Sequence, residues 1–151
     1  MKKNRIFLGG TCADTTWRDD LIIGLKSYDC EWFNPVVKDW TPECQIIEED
    51  EKNNKCNVHL YVLTPEMKGV YSIAEIINSC WQAQVYGTTV DYVIFCVMGE
   101  NYNWSKEQIK SLEATMKLCK CIAPDRCFCR RINSVVEILD ILTDNNISKL
   151  K

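Results

Sequence analysis

Carboxylates carry most of the chemistry open to this chain. Its single histidine, His59, stands inside the apolar run Val58-His59-Leu60-Tyr61-Val62-Leu63, where a neighbouring helix would cover it. That leaves no Ser-His or Cys-His nucleophilic pair and no histidine-rich metal site. Glu75 is the most informative acid. It sits one turn into a helical segment whose other face is Ile73, Ile76 and Ile77, and Tyr71, Ser72, Glu75 and Ser79 share one edge of it. A helix dipole also favours an acid near its start, so spacing alone leaves a catalytic and a merely electrostatic reading open. Gly9-Gly10 lets a backbone approach a ligand closely, and Thr11, Thr15, Thr16 and the following helix N-terminus offer donors. The string is neither a P-loop nor G-x-G-x-x-G. A tight strand-to-helix turn, with Asp14 capping it, explains it equally well.

The ten cysteines are scattered through periodic segments, unlike a disulfide framework. Cys80 and Cys96 fall on apolar faces, where the thiol acts as a small hydrophobe. Cys119-Lys120-Cys121 and Cys127-Phe128-Cys129 put four thiols within eleven residues. Their C-x-C spacing departs from the C-x₂₋₄-C of zinc sites. Strand alternation would turn Cys127 and Cys129 to one face, but the two pairs straddle a helix end. They read as core and surface thiols, and neither a metal nor a cofactor is expected.

The elements that must position these residues alternate along the chain. Arg5 to Leu8 is a buried strand ending in Gly9-Gly10. Trp17, Leu21, Leu25 and Tyr28 then recur at helical spacing behind Thr16 as N-cap. Glu31 to Phe33 is a second strand, closed by Asn34-Pro35. Thr41-Pro42 opens a polar helix that runs to about Lys55. Val58 to Leu63 is the third strand, and the helix bearing Glu75 follows Thr64-Pro65. Asp91 to Met98 is the fourth strand. Ser105-x-x-Gln108 is a capping box for a helix with Ile109, Leu112 and Met116 on one face. Cys127 to Arg130 is a fifth, edge strand, and Ser134-x-x-Glu137 opens the last helix. Strands alternating with helices imply a parallel sheet. The expected fold is a flavodoxin-like three-layer αβα sandwich with a five-stranded sheet, one domain over residues 1–151. Ligands bind such sheets beyond the carboxyl ends of the strands. Gly9, Gly10, Thr11, Asp14, Asn34, Asp39, Ser72 and Glu75 all fall there.

Composition narrows the partners. A net charge of −3 lacks the basic footprint of a nucleic-acid binder. No apolar run approaches a membrane span, and Ile6-Phe7-Leu8 is too short for a signal-peptide core. A cytoplasmic location is expected.

Five strings taken together resemble the nucleoside 2-deoxyribosyltransferase-like family. They are Phe7-Leu8-Gly9-Gly10-Thr11, Thr16-Trp17-Arg18-Asp19, Phe33-Asn34-Pro35-Val36-Val37-Lys38-Asp39-Trp40, Leu60-Tyr61-Val62-Leu63-Thr64-Pro65-Glu66-Met67 and Val70-Tyr71-Ser72-Ile73-Ala74-Glu75. They cover roughly the first two thirds of the chain in the family's order. The resemblance implies a flavodoxin-like enzyme that cleaves the N-glycosidic bond of nucleosides or nucleotides and passes the sugar to another base or to water. It makes Glu75 the nucleophile, with a covalent glycosyl-enzyme intermediate. It places a second, proton-donating acid on the preceding helix. Counting back selects Glu49 from Glu48-Glu49-Asp50-Glu51, with Asp39 as a rival. Gly9, Gly10, Thr11, Asp14, Asn34, Tyr71 and Ser72 would line the substrate pocket, and the assembly would be a homo-oligomer.

The string after Gly10, Thr-Cys-Ala-Asp-Thr-Thr, departs from the aromatic-rich string of the better-known transferases and marks a divergent branch. Its hydroxyls with Arg18 could hold a phosphate, so a nucleotide is as plausible as a nucleoside. Two other readings stay open: a non-catalytic nucleotide-binding module, and a glycohydrolase acting on NAD or a signalling nucleotide.

Overall fold

Five parallel strands in the order β2-β1-β3-β4-β5 form the middle layer of the molecule. The computed structural model describes residues 2–12 and 14–151; Met1, and Ala13 in the loop after the first strand, lie outside the described residues. The strands are β1 (Asn4–Gly10), β2 (Cys30–Phe33), β3 (Val58–Leu63), β4 (Tyr92–Met98) and β5 (Cys127–Ile132). The helices are α1 (Trp17–Leu25), α2 (Pro42–Asp50), α3 (Tyr71–Gln84), α4 (Lys106–Ile122) and α5 (Val136–Asp144). This is the expected flavodoxin-like α/β sandwich.

Side-chain alternation along each strand builds two cores. Ile6 and Leu8 of β1, with Leu60, Val62 and Ile94, meet Leu21, Leu25, Ile138 and Leu142 of α1 and α5. Phe7, Tyr61, Leu63, Phe95 and Val97 face the other way, onto Ile76 and Cys80 of α3 and Leu112 and Cys119 of α4. β3 is buried along its whole length, as a central parallel strand must be. Each fully buried Leu, Ile or Phe stabilises the fold by roughly 1.5–3 kcal/mol.

The capping box at Ser105 and Gln108 forms as read from the sequence. Two other ends differ. Thr16 precedes α1, yet its hydroxyl bonds the Asp20 carboxylate rather than a helix N–H. At the start of α5 the Glu137 carboxylate accepts from the Asn133 and Ser134 backbone N–H groups.

The helix opened by Thr41-Pro42 changes type before it ends. Residues Glu51–Lys55 form a π-helical turn, closed by the Cys56 N–H donating to the Glu51 carbonyl at 2.7 Å. In an α-helix that N–H would reach the Lys52 carbonyl. The Lys52 carbonyl is thereby released for another partner. The Arg5 guanidinium clamps the turn to β1 through a two-pronged pair with Glu51, at 2.8 and 3.0 Å.

Strand order reverses between β1 and β3. At such a switch point the connections leave in opposite directions and open a crevice at the carboxyl ends of the strands.

Candidate active site

Two glycines bring the end of β1 close to β3. Gly10 has φ +114°, and a side chain there would run into the Val62 backbone. A side chain at Gly9 would meet the Tyr61 ring at 2.7 Å. Thr11 ties the same junction: its N–H donates to the Val62 carbonyl and its hydroxyl accepts from the Thr64 N–H.

Above this junction lies a cavity of about 510 Å³, within the range that takes a small organic ligand. Gly9, Gly10, Thr11 and Cys12 form its floor. Phe7, Pro35, Val36, Val37, Trp40 and Met67 give it apolar walls. Glu48, Arg18, Lys68, Ser72 and Glu75 supply its polar groups, with the exposed Tyr71 at the rim.

Glu75 reaches the cavity from the second turn of α3. Its Oε2 accepts from the Lys52 ammonium at 2.7 Å, and both side chains are largely covered, 14% and 12% exposed. Lys52 stands on the π turn, and its backbone is held by a buried relay. The released Lys52 carbonyl lies 2.6 Å from His59 Nε2, while Nδ1 lies 2.8 Å from the Ser79 hydroxyl. A carbonyl only accepts, so Nε2 carries the proton and Nδ1 accepts from Ser79. Tyr61 then donates to the Ser79 oxygen at 2.8 Å. Burial pushes the His59 imidazole down to about 4, which keeps it neutral. His59 is therefore satisfied against a helix, as its mid-strand position suggested. Its consequence for Lys52 was not visible in the sequence.

Glu48 is the second acid at the cavity. Burial pushes its carboxyl above the usual carboxylate range; nearby Lys52 opposes that rise and Glu75 adds to it. Glu49, the residue chosen by counting, is exposed on the next helix position and is 3.4 Å from the Gln45 amide. Asp39 is exposed in the loop after β2 and does not line the cavity. Glu48 and Lys52 are four apart, so they share a helix face that Glu49 leaves.

The remaining residues divide. Gly9, Gly10, Thr11, Tyr71 and Ser72 line the cavity together with Glu75. Asp14 is exposed at φ +52° outside it. Asn34 also lies outside; its side-chain Oδ1 accepts from the Val36 N–H at 3.0 Å and shapes the loop that carries Val36, Val37 and Trp40. Arg18 does not present a free guanidinium to an anion. It is buried and donates to the carbonyls of Leu8, Gly10 and Thr11 at 2.8, 3.1 and 2.6 Å. Thr16 bonds Asp20, and the Thr15 hydroxyl lies 3.5 Å from the Trp17 N–H. Among the described residues of this loop, these groups bond within the chain.

The cysteines regroup as well. Cys121 is exposed, whereas Cys119 and Cys127 are buried beside Cys80 of α3.

A model of the nucleoside 2-deoxyribosyltransferase-like family matches residues 3–99, about two thirds of the chain. That span holds every cavity-lining residue and stops before α4 and β5. No curated protein matches the chain.

Proposed function

Because the chain belongs to the nucleoside 2-deoxyribosyltransferase-like family, we propose that it cleaves the N-glycosidic bond of a nucleoside or nucleotide through a glycosyl-Glu75 intermediate. One observation carries this reading. Two carboxyls, Glu75 and Glu48, face one cavity in different electrostatic settings. Lys52 pairs with Glu75, while burial raises the Glu48 carboxyl above its ordinary value. Carboxyls set apart in this way take separate roles as nucleophile and acid.

In the first step an oxygen of Glu75 attacks C1′ of the sugar. The C1′–N bond breaks, and the departing base takes its electron pair together with the proton of Glu48. Lys52 engages Oε2 and leaves Oε1 for the sugar carbon. In the second step the Glu48 carboxylate removes a proton from an incoming base or from water. That nucleophile attacks C1′, Glu75 departs, and two inversions give net retention. Phe7, Val36, Val37, Trp40 and Met67 provide flat apolar surface for a base.

Glu48 thus replaces Glu49 and Asp39 as the proposed acid, because it alone of the three lines the cavity. The working form is proposed to be a homo-oligomer. α2 buries none of its residues and exposes Ile46 and Ile47, and Trp40 before it is exposed as well.

Incubation with deoxynucleosides and their 5′-monophosphates, with and without a free base, tests the reaction by chromatography. New nucleoside establishes transfer, and free base alone establishes hydrolysis. Absence of any product, with one compound raising the melting temperature, would overturn catalysis in favour of a binding module.

A further inference from the structure

The three sulfur atoms of Cys80, Cys119 and Cys127 lie within 4.8 Å of one another, and all three residues are buried. They come from three elements: Cys80 from α3, Cys119 from α4 and Cys127 from β5. Cys129 follows on the same face of β5, with its sulfur 3.7 Å from that of Cys127. In a tetrahedral zinc site a Zn–S bond near 2.3 Å sets sulfurs about 3.8 Å apart. We propose that Cys80, Cys119, Cys127 and Cys129 form a structural zinc site that joins α3, α4 and β5.

Three features support it. The thiols converge from residues 80 to 129, so the fold rather than a local motif assembles the donors. The donor set is all sulfur, which suits zinc or another soft ion rather than magnesium or calcium. Lys120 donates to the Cys127 carbonyl at 2.8 Å and sets a positive charge beside a site that would be net negative. Cys119, Cys127 and Cys129 lie beyond the residues matched by the family model, and Cys80 lies within them. Binding would release the thiol protons and tie α3, which carries Glu75, to the far edge of the sheet.

The test uses the full chain, purified under reducing conditions, stripped with a chelator and titrated with cobalt(II). The expected result is one cobalt per chain, with tetrahedral visible bands and a thiolate charge-transfer band, both lost on adding one equivalent of zinc. Cys129→Ser, at a half-buried position, should keep the metal with the charge-transfer intensity reduced to about three quarters, as four thiolates become three. Cys119→Ser should weaken cobalt binding at least tenfold, while Cys121→Ser, at an exposed thiol, leaves the titration unchanged. The stripped protein should melt at a lower temperature than the zinc-loaded one. A wild-type protein that binds no cobalt, or a spectrum unchanged by both Cys119→Ser and Cys129→Ser, would overturn the site. So would a disulfide within the cluster that persists under those reducing conditions.

Discussion

Glu48 and Glu49 are neighbours in sequence and differ only in which side of α2 they occupy. Their variants therefore separate the cavity's geometry from simple counting. Glu48→Gln should slow cleavage of an ordinary base by about 10²–10⁴-fold, with less loss for a base that leaves easily. Glu49→Gln should leave the rate near that of the parent. Steady-state rates over a series of leaving groups check both, and equal rates for the two variants would remove Glu48 from its role. The acid must hold its proton. Since burial raises the Glu48 value, activity should persist above the ordinary carboxylate range and fall as pH rises through the raised value. Glu48→Gln should lose that alkaline limb. Lys52 acts through Glu75. Lys52→Met should lower kcat by about 10²-fold with KM nearly unchanged, and Lys52→Arg should recover part of the loss. At this scale the sequence disclosed residue types and approximate positions. The positions of Glu75, Gly9, Gly10 and Thr11 at the cavity were legible, because glycines and an acid near a helix start sit where the strand ends put them. Lys52 was not, because its position depends on a π turn and on a histidine in another element.

The π turn is the element on which the site depends most. It exists because the Cys56 N–H reaches past Lys52 to Glu51, and because Arg5 and His59 take up the groups it exposes. The sequence was legible as helix to Lys55, but the change of pitch was not. Helical periodicity records which residues face inward, not which carbonyl each N–H selects. His59 makes the turn sensitive to acid. Its value is about 4 in the fold against an ordinary 6.5, so the unfolded chain takes up the extra proton between those values. The His59 contribution is complete above about pH 6.5 and is lost as pH falls toward 4. Lowering pH from 7 to 5 should therefore cost roughly 2 kcal/mol through this residue. Urea unfolding at both pH values should show that loss in the parent and a flatter dependence in His59→Gln. The loop after β1 depends similarly on Arg18. Arg18→Met removes the guanidinium bonds to the Leu8, Gly10 and Thr11 carbonyls, of which Thr11 keeps the Trp17 indole N–H, and should destabilise the fold by about 3 kcal/mol.

Across the whole molecule, the strand order and the site follow from one pattern. Buried parallel strands alternate with helices, and the reversal between β1 and β3 fixes where a ligand can enter. That much was legible from apolar runs and turn residues. The proposed contact between copies was not, because exposed Ile46 and Ile47 read the same in a monomer and in an interface. Sedimentation should show an oligomer that Ile46→Glu with Ile47→Glu converts to a monomer; unchanged sedimentation of the double variant would exclude α2 from the interface. No described helix is long and apolar enough to cross a membrane. The most direct test of the central claim is mass spectrometry of the protein quenched during turnover, with 2′-fluoro nucleoside analogues to slow release of the sugar. The account predicts one glycosyl adduct, mapped to the peptide carrying Glu75 and absent from Glu75→Gln. Product formation without an adduct, or an adduct on another residue, would contradict it.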